Sequence, residues 1–162
     1  MIRGFYEISM PRNEESKNYA PGSKERAELK KAISDARSKE IEIPMVIGGM
    51  EVKTGNLVRI FPPHDLKHTL GQYHKGDDSH VRMAIDAALA VREKWESMSW
   101  EQRASIFLKA AELIAGPYRA RMNAATMLGQ SKNAFQAEID AICETVDFLR
   151  FNTHWMQRKV RL

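Results

Sequence analysis

The chain has 162 residues, 43% hydrophobic and 28% charged, which is enough apolar content to bury a core and too much for a disordered tail. Its 25 Lys and Arg exceed 21 Asp and Glu by only four charges, and the two signs are interleaved, without the basic stripe of a dedicated nucleic-acid binder. One cysteine excludes an internal disulfide framework and a cysteine zinc cage, no apolar run approaches the roughly 20 residues that cross a bilayer, and Met1 to Glu7 holds no apolar signal region.

Residues 1–22 are polar, broken by Pro11 and Pro21-Gly22, and predict an extended arm. Within 23–40, Ser23 is a good N-cap, and Leu29, Ala32, Ile33 and Ala36 recur at helical spacing, predicting a helix over about 24–38. Residues 41–76 predict short strands. Met45 to Ile47 and Glu51 to Thr54 flank Gly48-Gly49, a pair suited to a tight hairpin because glycine accepts positive φ. Leu57 to Phe61 and Thr69 to His74 complete a small antiparallel section near 45–74.

Residues 77–160 predict helices. Val81, Ala84, Ile85, Ala88, Leu89 and Trp95 form one stripe, with a break near Ser97. Ser99 and Gln102 form a capping box before the face made by Ile106, Phe107, Ala110, Leu113 and Ile114. Gly116 ends that helix, and Pro117 suits the first turn of another that stops near Gly129. A long helix over about 133–158 carries Ile139, Ile142, Val146, Leu149 and Met156 on one side. Two of these helix faces need a wide cover, and a sheet is the usual one in an α/β protein. The few strands available predict apolar area left exposed on at least one helix, or covered by another chain.

The chemistry-bearing motifs are sparse. No Gly-x-Gly-x-x-Gly, phosphate loop or Gly-x-Ser-x-Gly elbow is present. Cys143 lies mid-helix, without the helix N-terminus or neighbouring cation that lowers a thiol's pKa, so it reads as a packed thiol and not a nucleophile. His64, His68, His74 and His80 read as solvated loop imidazoles, since no ordered set of three or four ligands accompanies them; no metal is expected. The basic end Arg158 to Leu162 reads as a solvated helix terminus favoured by the helix dipole, and no nucleic-acid or membrane partner is expected. Glu138, Asp140, Glu144 and Asp147 line the long helix, with Glu144 nearer its apolar seam than Glu138.

Several blocks then fall in register. YAPGSKERAEL at 19–29, IPMVIG at 43–48, RASIFLKAAEL at 103–113, AGP at 115–117, MLGQSK at 127–132, QAEIDA at 136–141 and DFLRFN at 147–152 together resemble the opening of the delta-1-pyrroline-5-carboxylate dehydrogenases of the aldehyde dehydrogenase superfamily. The resemblance spans about 13–152. It implies an α/β parent enzyme, with this chain mainly helical and forming the N-terminal part of the NAD-binding domain. It further implies oxidation of L-glutamate γ-semialdehyde to L-glutamate with NAD, in proline breakdown, through a cysteine thiolate and a thioester intermediate.

In that family the nucleophile, its asparagine, the water-activating glutamate and the nucleotide-binding strands follow the segment matched here. The chain alone is therefore expected to lack catalytic and cofactor-binding residues, with the catalytic domain absent, and to be inactive. One substrate-side position carries across: Glu144 matches a glutamate near the aldehyde entrance, where a carboxylate favours the substrate's ammonium group. The resemblance also implies a homo-oligomeric parent, and with no targeting signal a cytoplasmic location is expected. The competing expectation is a non-catalytic helical protein-interaction module derived from such an enzyme.

Overall fold

Ser23 opens the first helix, its hydroxyl accepting the Arg26 amide at 3.3 Å, in a computed structural model that describes residues 7–160. Residues 1–6 of the expected arm, and Arg161 and Leu162 of the basic end, lie outside the described residues. Helix α1 (Lys24–Ser38) buries Leu29 against Tyr19 and Ala124, with Ala32 and Ile33 packed beside them. From Glu7 to Ala20 the arm has no regular secondary structure, and it lies along later helices.

Five short strands follow: β1 (Ile41–Ile43), β2 (Met45–Ile47), β3 (Met50–Val52), β4 (Leu57–Ile60) and β5 (Gly71–His74). Strands β2 and β3 form the expected hairpin, with Gly48 and Gly49 both at positive φ (60° and 81°), as a two-residue turn of matching twist requires. The other sheet has the order β1-β5-β4. Its β4–β5 pair is antiparallel, whereas β1 pairs with β5 in parallel, Ile41 facing Gly71. Within 45–74 both pairings are antiparallel, as expected; β1, just before that range, adds a parallel partner to β5. Parallel partners lie far apart in sequence and leave no hairpin signature between them. Gly71 has φ 154°, and a Cβ there would lie 2.1 Å from the Ile41 carbonyl oxygen, so only glycine lets β1 approach.

The remainder is helical. Helix α2 (Asp78–Ala90) is capped reciprocally by Asp77 and His80, and the chain breaks at Val91 before the short α3 (Arg92–Ser97). Helix α4 (Trp100–Ala115) opens on the predicted Ser99–Gln102 capping box and closes at Gly116. Pro117 does not start the next helix; Gly116 to Tyr118 form a turn, and α5 runs Arg119–Gln130. The predicted long helix is three pieces: α6 (Ala134–Ala137), a wide π turn (Glu138–Cys143) and α7 (Glu144–Val160). Ala111 of α4 meets Ile142 and Val146 in the main apolar cluster, with Ile114, Met122 and Leu149 around it.

The expected uncovered face is α2. It buries no residue, and Val81 and Leu89 remain 60% and 59% exposed. Among the described residues, no helix is long and apolar enough to cross a membrane.

Candidate functional site

Four carboxylates ride on the π turn and the start of α7, and the structure gives them different fates. Asp140 pairs with Lys132 at 2.5 Å. Asp147 accepts the Glu14 amide and the Asn13 side-chain amide, both at 2.7 Å. Glu138 is fully buried, although sequence periodicity placed Glu144 nearer the apolar seam; that expectation is reversed. The wide turn adds a residue, so a single 3.6-residue period cannot be carried across it. Glu144 instead stands exposed, and among the described residues no ion pair engages it.

Glu138 is the hub of a buried polar cluster. One oxygen accepts the Lys17 amide at 2.8 Å and the Arg119 guanidinium, and the other accepts the Tyr19 hydroxyl at 2.6 Å and the Asn123 amide at 2.8 Å. Arg119 also reaches Glu14 and the Glu15 carbonyl oxygen, both at 2.7 Å, and Arg150 donates to the second oxygen of Glu14 at 2.7 Å. Burial alone would push both carboxyls up. Hydrogen bonds outweigh it, from Arg119 and Tyr19 at Glu138 and from Arg119 and Arg150 at Glu14, and both stay below the usual carboxylate range. Burial and then Glu138 push the Tyr19 hydroxyl well above its ordinary value, so it remains a donor. These groups bind one another and tie the arm to α5 and the π turn.

Cys143 is buried, and burial followed by the Glu138 charge raises its thiol, the opposite of what a thiolate nucleophile needs. The histidines are not all solvated loop rings, a correction to the sequence reading. His74 is buried on β5, its Nδ1 accepting the Gly55 amide and its Nε2 donating to the Glu42 carboxylate, at 3.1 Å each, and His154 is buried against the Ile8 carbonyl oxygen at 2.9 Å. His64 meets the Ser131 hydroxyl at 2.8 Å, and His80 caps α2 with Asp77. Each described partner is structural.

Glu144, Phe148, Asn152 and Trp155, at steps of four, four and three residues, share one face of α7 and are all exposed. Beside Phe148 and Asn152 lies a cavity of about 440 Å³, which also touches Phe107, Leu149 and Met156. Such a recess suits an aliphatic group, and Glu144, one turn before Phe148 on the same helix, carries an exposed carboxylate. No periodicity argument found this face. The uncommitted state of Glu144 separates it from its three neighbours.

Comparisons with known proteins bear on the same segment. The profile of the Aldehyde dehydrogenase family matches residues 50–161. The delta-1-pyrroline-5-carboxylate dehydrogenase of Agaricus bisporus is 44% identical over 153 residues, 94% of this chain and 28% of the relative. The probable delta-1-pyrroline-5-carboxylate dehydrogenase of Schizosaccharomyces pombe is 43% identical over 93% of this chain and 28% of its own length. The crystal structure of the delta-pyrroline-5-carboxylate dehydrogenase from Mycobacterium tuberculosis, bound with NAD and cobalamin, superposes with a TM-score of 0.95 at 36% identity, over 100% of this chain and 31% of that one. The chain thus spans about 28% of the length of the curated relatives it matches.

Proposed function

The chain belongs to the aldehyde dehydrogenase family, and from that premise we propose that it serves as the N-terminal segment of an NAD-dependent dehydrogenase oxidising L-glutamate γ-semialdehyde to L-glutamate. The observation that carries the reading is the superposition of the chain on a delta-pyrroline-5-carboxylate dehydrogenase bound with NAD and cobalamin. The names of the curated relatives support the same substrate class.

The dinucleotide cradle is proposed to lie outside this segment, and two features support that. Among the described residues the parallel pairing is limited to β1 and β5, and the sequence holds no Gly-x-Gly-x-x-Gly turn between a strand and a helix. The nucleotide, which would accept hydride, and the thiolate that attacks the aldehyde are proposed to lie outside this segment. Cys143, buried and with a raised thiol, is not that thiolate.

What this segment contributes is a surface on the substrate side. Glu144, exposed and unpaired among the described residues, attracts the α-ammonium group of the semialdehyde. Phe148 and Asn152 beside it border the recess that suits the aliphatic stem. Glu144→Gln in the complete enzyme tests this. It should raise KM for the semialdehyde and leave an uncharged aldehyde of similar length unaffected, because removing one charge matters only where the substrate carries the opposite one. Equal effects on both aldehydes would remove Glu144 from the substrate site.

A further inference from the structure

Glu144 is the first residue after the π turn, and its amide donates to the Ile139 carbonyl oxygen, five residues back instead of four. The wide turn joins two anchors. On one side, Glu138 is tied to the arm through Lys17 and Tyr19 and to α5 through Arg119 and Asn123. On the other, Ile142 and Val146 are seated on Ala111 of α4. If the turn tightened to ordinary α geometry, the faces on its two sides would rotate by about 100° relative to one another, the angle of one helical residue. Glu138 would then leave its partners, or the face carrying Glu144 and Phe148 would leave its place. A wide turn survives only where the surroundings hold it, and such turns recur at functional sites.

We propose that Glu138 is a positioning residue for the substrate side: its buried clamp, set against the packing of α7 on α4, holds the π turn open and thereby fixes where Glu144 stands. This rests on the reading of Glu144 given above. Glu138 touches no substrate and acts only through the backbone between residues 138 and 144. The arm takes part as well, since Lys17 and Tyr19 supply two of the clamp's donors.

The test is steady-state kinetics of the complete dehydrogenase with glutamate semialdehyde, comparing wild type, Glu138→Gln, Glu144→Gln and the double variant. Ile47→Ala, a buried hairpin residue remote from the clamp, serves as a control for general destabilisation. Glu138→Gln should raise KM for the aldehyde by about tenfold, with KM for NAD and kcat nearly unchanged, because a displaced binding group loses uniform binding. The double variant should be no worse than the poorer single variant, since both changes act at one point.

If Glu144→Gln raises the aldehyde KM and Glu138→Gln does not, positioning is overturned and the role of Glu144 survives. If Glu144→Gln has no effect, the reading of Glu144 falls and positioning falls with it. A Glu138→Gln enzyme that loses kcat and affinity for NAD together, as Ile47→Ala would if it were damaged generally, also overturns it. Should Glu138→Gln fail to fold, Tyr19→Phe removes one donor of the clamp and should raise the aldehyde KM by about two- to threefold; an unchanged KM there overturns the proposal.

Discussion

Arg119 and Glu138 form a buried ion pair that joins the first residue of α5 to the first residue of the π turn. The pair also closes the arm onto the helices, because Glu14 and the Glu15 carbonyl oxygen share the same guanidinium. Removing one partner leaves the other buried without that counter-charge. Arg119→Ala should therefore destabilise the chain by about 3–5 kcal/mol in urea unfolding, the range for breaking a buried pair. The double replacement of Arg119 and Glu138 by alanine should cost clearly less than the two single losses added together.

Acid should loosen the same clamp. The Glu138 and Glu14 carboxyls lie below their ordinary value of 4.5 in the folded chain, so in that window the unfolded chain binds more protons. Their stabilisation is complete above that value and is lost as pH falls through the lower folded values. Thermal unfolding between pH 7 and pH 3 should show Tm dropping on the acid side of 4.5. Glu138→Gln should start lower at neutral pH and fall less steeply.

Gly71→Ala addresses the mixed sheet. The added methyl group would meet the Ile41 carbonyl oxygen at 2.1 Å, on backbone that cannot swing aside, and the positive φ of 154° is itself unfavourable for alanine. A loss of roughly 3 kcal/mol is expected from the clash and the strain together. Amide exchange should show β1 and β5 separating first.

Ser131 offers the opposite sign. It sits at φ 57° at the end of α5, where a residue with a Cβ carries a conformational cost of about 1–2 kcal/mol that glycine avoids. Its hydroxyl meets His64 at an exposed site, so the hydrogen bond recovers only part of that cost. Ser131→Gly should raise stability by about 0.5–1 kcal/mol, measured by urea unfolding.

These residues also show where sequence reasoning succeeds and why it stops. The Ser99–Gln102 box, the Ser23 cap and the Gly48-Gly49 turn were readable because each is made by residues within four positions of one another. The bare face of α2 was readable too, since Val81, Ile85 and Leu89 had more apolar surface than the strands could cover. The parallel pairing of β1 with β5 was not, because nothing local to Ile41 announces Gly71. Glu138 was misplaced because the π turn breaks the period on which its face was assigned. Its partners Lys17 and Tyr19 come from the arm and Arg119 and Asn123 from α5, both distant in sequence, and no spacing rule joins them. Glu144 was singled out chiefly by resemblance; the structure adds that its charge is uncommitted among the described residues.

The most direct measurement is NADH formation by the complete dehydrogenase supplied with L-glutamate γ-semialdehyde and NAD, beside the 162-residue chain alone. The account predicts NADH from the complete enzyme and none from the segment. A complete enzyme that reduces NAD with other aldehydes but not with this one would contradict the substrate assignment, and one that forms NADH from none of the aldehydes supplied would contradict the proposed activity.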